Sequence, residues 1–428
     1  MLHNFAKRSC LIICLLGTGA ASAQNSNKEN APYSRYGLGE LVNSSNTLLR
    51  GMGYTSVAYS STTAVNPDNP ATYANLKLTT YEAGLTGATR TITAGGTNYT
   101  SGSASLAYLS IGIPVGKYGG LAFGLRPQTR VYYHNSDTVA ANPSEYWSYK
   151  HTEDYSGDGG LNYAYLGAAG KYNGFSLGFN VGYMFGTIRN SASLVNIDTV
   201  RALNSEFSRF TRYGGVYWQG GAQYEAKLNR KMTLRLGATA QISQTLHGYR
   251  DEYQTSYVVY SGATQTDTAS NTQETAGKMT LPLTYTLGAN LGGDRWNVGV
   301  QYSNTNWSQY RNYGAADSTI IDHTSRVSFG GEYTPNPGSI YKYLPRVTYR
   351  LGFYYGTDYV YLRNTKLNYY AVTAGASLPF RRSTDRVHIA AEYGSRGTTT
   401  NNLIKENFFK FTLGISLNDK WFIKRKYD

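Results

Sequence analysis

From Phe175 to Phe185 the large apolar side chains fall on every second residue: Phe175, Leu177, Phe179, Val181, Tyr183 and Phe185. Ser176, Gly178, Asn180 and Gly182 stand between them, and Gly186 follows. A period of two describes a strand with one apolar face and one small or polar face. Fourteen segments fit this pattern, near 79–89, 103–113, 120–134, 161–171, 174–188, 214–227, 231–243, 280–291, 295–308, 325–334, 345–356, 368–379, 385–395 and 407–417. Each is long enough for a tilted strand to cross a hydrocarbon layer, which takes ~9–11 residues.

The spacing between the segments constrains the fold further. Short connections (114–119, 172–173, 228–230, 292–294, 335–344 and 380–384) follow the even-numbered segments. Longer ones (90–102, 135–160, 189–213, 244–279, 309–324, 357–367 and 396–406) follow the odd-numbered segments. Short periplasmic turns and long external loops give this alternation in an outer-membrane barrel, and a sandwich has no reason to. The expected fold is all-β: a 14-stranded antiparallel transmembrane β-barrel of the outer membrane, residues 79–417, with an N-terminal plug inside the lumen. An even count places both termini in the periplasm.

Export agrees with this. Lys7 and Arg8, the apolar run Cys10–Leu16 and the site Ala21-Ser22-Ala23 read as a secretory signal peptide, 1–23. Cys10 and Cys14, the chain's two cysteines, fall within it, so the mature chain is expected to hold no disulfide or thiolate site. The 41 tyrosines and 47 glycines suit a barrel wall. The formal charge is +14, and losing Lys7 and Arg8 lowers it by two. An exported basic chain meets lipopolysaccharide and lipid headgroups, and nucleic acid is not an expected partner. A basic periplasmic tail, 418–428, carries Lys420, Lys424, Arg425 and Lys426.

Residues 24–78 lack the alternation. Arg50, Gly51, Met52 and Gly53 open a run of small residues that ends in Asn66-Pro67 and Asn69-Pro70-Ala71. Glycine permits close backbone approach and Asn-Pro favours turns. With the barrel behind it, this stretch reads as a plug or hatch filling the lumen. On the polar side of the strands fall Arg126, Arg130, Glu225, Arg235, Glu332, Arg346, Arg350, Arg386, His388 and Glu392. A charge on the lipid side would cost ~2–4 kcal/mol at the midplane for Arg or Lys. Mixed charge inside fits either salt bridges to an enclosed segment or pairing across the wall. Aromatics near strand ends, among them Tyr132-Tyr133, Tyr146-Trp147, Trp218, Trp296, Trp307 and Tyr369-Tyr370, read as interfacial girdles.

These features together resemble the FadL-type outer-membrane transporters of hydrophobic compounds. The Gly-rich segment ending in Asn69-Pro70-Ala71 looks like that family's plug motif, and 157–162 (Gly-Asp-Gly-Gly-Leu-Asn) leads into the hairpin 161–188. The start Pro32-Tyr-Ser-Arg-Tyr-Gly-Leu-Gly39 and the ending 413–428 look like the Bacteroidetes branch. The resemblance implies a hydrophobic ligand caught outside, held above the plug and released sideways through a distorted third strand. Pro127 lies in the third strand here, where a residue without an N–H must mark a bulge or a break, and it is the candidate lateral gate. Pro282 sits nearer the outer end of the eighth strand.

The expected function is passive uptake of hydrophobic small molecules such as long-chain fatty acids and aromatic compounds. The alternative is a structural or interaction subunit of a Bacteroidetes outer-membrane secretion or barrel-assembly complex, with a periplasmic or outer-membrane protein partner. A rim enzyme is the third class: His134, His151, His247 and His323 lie in or beside external loops, near Asp154, Asp158 and Asp322. Adjacency in sequence does not make a catalytic dyad, and the chain is read as a non-enzyme. No ligand spacing for a metal is present, and no cofactor is expected.

Overall fold

The computed structural model describes residues 30–142, 144, 149–197, 203–260, 263–381 and 383–421. The expected signal peptide, residues 24–29, Tyr146-Trp147 and the tail beyond Trp421 lie outside the described residues.

The wall begins with β2 (Thr79–Ala94) and β3 (Thr97–Val115). The third wall strand is split into β4 (Gly119–Pro127) and β5 (Thr129–Val139). Then come β6 (His151–Tyr172), β7 (Phe175–Asn196) and β8 (Asn204–Lys227). Two more split strands follow: β9 (Thr233–Gln241) with β10 (Gln244–Tyr260), and β11 (Ala263–Leu281) with β12 (Leu283–Gly292). After β13 (Trp296–Asn306) and the two-residue β14 (Arg311–Asn312), the circuit ends with β15 (His323–Tyr333), β16 (Thr348–Leu362), β17 (Thr365–Pro379), β18 (Arg386–Gly397) and β19 (Lys405–Asp419). With each split strand taken as one and β14 set aside, the wall has fourteen antiparallel strands. It closes where β19 pairs with β2, from Lys405↔Thr93 to Asp419↔Thr79. Among the described residues no helix is long and apolar enough to cross a membrane.

All fourteen expected segments are present as strand. The boundaries differ at one end of the barrel. Most of 135–160, 189–213 and 244–279, expected as loops, is tall paired sheet: β6–β7 runs from Tyr172↔Phe175 to His151↔Asn196, and β10–β11 from Gln244↔Leu281 to Tyr260↔Ala263. These extensions are polar on both faces, as in Thr264-Gln-Thr-Asp-Thr268, so the period-two signal vanishes where nothing is buried.

The apolar face points outward. Phe175, Leu177, Phe179, Val181, Tyr183 and Phe185 are 38–56% exposed, while Ser176 and Asn180 between them are buried. Leu351, Phe353 and Tyr355 on β16 and Phe409, Phe411 and Leu413 on β19 repeat the pattern. The outcome is a girdle of exposed apolar side chains around the closed wall, far beyond the patches a monomer in water leaves uncovered.

Residues 30–78 contact strands all round the circuit. They include β1 (Glu40–Leu41), the single-turn helix α1 (Thr47–Arg50) and a 3-10 turn, Pro70–Asn75. Inward-facing glycines make the room. A Cβ on Gly330 would strike the Met52 carbonyl, one on Gly352 the Gly53 amide, and one on Gly237 the Val57 carbonyl. Close backbone approach of this kind is what glycine in a strand permits. The barrel's own ends, Thr79 and Asp419, sit together at the short-turn end. Asn30 is held at the opposite, long-hairpin end, where its amides donate to Ser101 Oγ and His134 O.

Candidate functional site

The segment 50–71 is pinned residue by residue. Arg50 Nε donates to Ser45 O at 2.9 Å and its Nη1 to Thr86 Oγ1 at 3.2 Å. Gly51 packs on Gly375 of β17. Met52 is fully buried. Gly53 N donates to Thr373 Oγ1 at 2.8 Å. Gly53 and then Tyr54 both take positive φ, +62° and +63°, a conformation costly for tyrosine. Tyr54 Oη donates to Glu392 Oε2 at 2.6 Å, and Tyr354 Oη to Oε1 of the same carboxylate at 2.8 Å. Asn66 Nδ2 bonds the Ser56 and Tyr59 carbonyls, and Pro67 O accepts from Asn180 Nδ2 at 3.3 Å. Asn69 caps the 3-10 turn that Pro70 opens, through the amide of Ala71 at 3.0 Å.

The sequence-selected charges divide. Arg126 joins the segment through Asp68 at 2.9 Å. Glu332 accepts from Tyr59 of the segment and pairs with Arg350 at 2.9 Å. Glu225 and Arg235 pair with each other at 2.8 Å, and Lys171 joins them at 3.4 Å. His388 bonds Ser377 and Ser416 within the wall. Arg130 lies in β5, opposite Glu40 of β1. Arg346 precedes its strand, in the 3-10 turn Leu344–Arg346 at the short-turn end.

Pro127 ends β4. The β3–β4 ladder stops at Leu109↔Leu125, and β5 forms no ladder with β3. The outer edge of β5 pairs instead with the N-terminal segment: Glu40↔Arg130 and Leu41↔Thr129 in register, Val42 N donating to Gln128 O at 2.9 Å and Ala31 N to Tyr132 O at 2.8 Å. The wall is therefore interrupted between β3 and β5, and the chain's own backbone lines one side of the interruption. Pro282 likewise separates β11 from β12.

Against this break lies a chamber of about 290 Å³, bounded by Leu41, Val42, Arg126 and Gln128 on the break side. Its far side holds Tyr354, Tyr369 and Phe408 of an aromatic cluster that also buries Tyr54. Most cations around it are paired: Arg126 with Asp68, Arg396 with Asp358 at 2.8 Å, and Lys410 with Glu40 at 3.8 Å and Glu392 at 3.7 Å. Arg326 differs. Its guanidinium donates to Asn43 Oδ1 at 2.8 Å and stands 5.7 Å from the Tyr54 ring centre, with no carboxylate partner among the described residues. Glu40 is half-buried, and desolvation alone would raise its pKa, but Arg90 above all, then Lys410 and Arg396, hold it below the usual carboxylate range. Sequence reading missed Arg326, although the alternation of β15 sets it on the same face as Glu332.

A sequence model matches residues 5–428, nearly the whole chain, and it is that of BamG. The chain belongs to the BamG family. No curated protein sequence matches this BamG-family chain. The likeness to FadL-type proteins holds at the level of fold. The toluene transporter TodX of Pseudomonas putida superposes with a TM-score of 0.57 at 16% identity, covering 90% of this chain and 100% of that one. A Pseudomonas aeruginosa FadL homologue gives 0.56 at 13%, over 89% and 99% of the two chains. The Ralstonia pickettii toluene transporter TbuX gives 0.53 at 14%, over 87% and 98%. The BamG-family chain thus shares the FadL-type barrel while its sequence family carries a different name.

Proposed function

We propose that this chain is an outer-membrane barrel, plugged by residues 24–78, that takes up small amphiphiles with an anionic head and an apolar body. Long-chain fatty acids fit this class. The outward apolar girdle supports placement in a bilayer, with short turns in the periplasm and tall hairpins outside. The observation that carries the cargo class is Arg326, a chamber cation with no carboxylate partner among the described residues, beside the rings of Tyr54 and Tyr354. A guanidinium in such a setting recognises carboxylate or phosphate, and the rings accept an alkyl or aryl body. Thr284, Thr286, Ser303 and Gln301 make the rest of the chamber too polar for a pure hydrocarbon. The interruption at Pro127 supports a sideways exit at the outer rim of the girdle. Uptake of labelled dodecanoate by cells with and without the chain tests the reading; equal uptake would end it.

A second reading, a subunit of an outer-membrane secretion or assembly complex, is favoured by one observation. The β5 edge at the interruption is already occupied by β1, which suits a sealed scaffold better than an open exit.

A further inference from the structure

At the short-turn end one connection differs from the others. The five other turns there span two to six residues, whereas fourteen, 334–347, join β15 to β16. This turn is braced from within. Asn336 N donates to Pro345 O at 2.7 Å, Ser339 N to Asn336 O at 3.2 Å, and Tyr349 Oη to Leu344 O at 3.2 Å. Pro335, Pro337 and Pro345 fix φ at three of its positions. Its tip nevertheless shows Ile340 and Tyr341 to solvent, 87% and 97% exposed, more than any other large apolar side chain among the described residues.

Beside the turn is a cavity of about 160 Å³, which Thr63, Pro337, Arg346, Thr384 and Arg386 help to line, with no carboxylate in its wall. Arg346 donates to Phe380 O at 3.5 Å and Arg386 to Thr348 Oγ1 at 3.4 Å, and neither has an ion-pair partner among the described residues. The neighbouring Asp385 is committed to Ser383 Oγ and Asn418 N. Thr63 belongs to the N-terminal segment, so the cavity opens at the barrel mouth and not on the apolar girdle.

We propose that this turn is a docking finger for a periplasmic protein. The partner presents an apolar pocket that receives Ile340 and Tyr341, next to carboxylates that enter between Arg346 and Arg386. A rigid tip with exposed aromatic and aliphatic anchors loses little entropy on binding, and the unpaired cations select an acidic surface. The side of the membrane rests on the orientation proposed above.

A photoreactive amino acid placed at Tyr341, with Tyr172, the last residue of β6 at the same end, as control, tests this in growing cells. Position 341 should give a discrete protein adduct and position 172 should not. The adduct protein, purified, should bind the chain in lipid nanodiscs, and the variants Ile340→Ala with Tyr341→Ala, and Arg346→Gln with Arg386→Gln, should each weaken binding at least tenfold. The charge variant should also flatten its salt dependence. Heat-shifted electrophoretic mobility confirms that each variant is folded. Adducts to lipid alone, no adduct above the control, or unchanged binding by folded variants would overturn the proposal. Sidedness is checked separately with Tyr341→Cys and an impermeant maleimide. Labelling should need a permeabilised outer membrane; labelling of intact cells would refute the orientation, whatever the adducts show.

Discussion

Continuing the Leu109↔Leu125 register by two residues sets Pro127 against Ala107, and the two do not pair. Ala107 is skipped in the ladder on its other side as well, where the register passes from Gly84↔Tyr108 to Leu85↔Leu106. A bulged residue and a residue without an N–H thus coincide at one height, and above them β5 turns to the N-terminal segment. Pro127→Val restores the donor. Uptake of labelled dodecanoate should fall several-fold while heat-shifted mobility is unchanged. Undiminished uptake would show that the interruption is not the route.

Gly330 admits the Met52 carbonyl. Gly330→Val should unseat the N-terminal segment at a cost of about 1–3 kcal/mol, the usual range for overpacking. In planar bilayers the parent should pass little steady current and the variant should conduct. Gly170→Ala, which adds its methyl in open space, should behave as the parent.

Tyr54→Phe removes one of two tyrosine hydrogen bonds to the buried Glu392. Losing a bond to a charged acceptor should destabilise the segment by about 1.5–3 kcal/mol. Limited proteolysis within 30–78 should quicken while the wall stays resistant.

Much of the wall was legible because each strand buries one face in the lumen and shows the other outward, which imposes the alternation on 175–185. The tall extensions were not, since Thr264 to Thr268 face water on both sides. The charges were placed by phase alone: Glu332 and Arg126 meet the N-terminal segment, but phase could not say that Glu225 would turn to Arg235. Arg326 was open to the same reasoning. Glu40 was not, because its partner Arg90 is fifty residues away and no period links an irregular N-terminal segment to a wall strand.

Glu40 makes a prediction about pH. Its pKa in the folded chain is held below the ordinary carboxylate range, chiefly by Arg90 at 2.5 Å against the effect of burial. A lowered folded pKa means stabilisation that is complete above the unfolded value, about 4.3, and is lost as the pH falls through the folded one. Protection of residues 30–45 from protease should therefore hold at neutral pH and weaken on the acid side of about pH 4. Glu40→Gln should weaken it at neutral pH by about 1–3 kcal/mol, since Arg90 keeps Glu406 at 2.7 Å. Its acid-side dependence should shrink.

The most direct measurement compares dodecanoate and dodecanol binding by the purified chain and by Arg326→Gln in nanodiscs. If the chamber holds an anionic head on Arg326, the variant should lose dodecanoate affinity by ~10–100-fold, about 1.4–2.8 kcal/mol, and leave dodecanol binding unchanged. No dodecanoate binding by the parent, or an equal loss for both compounds, would contradict the account.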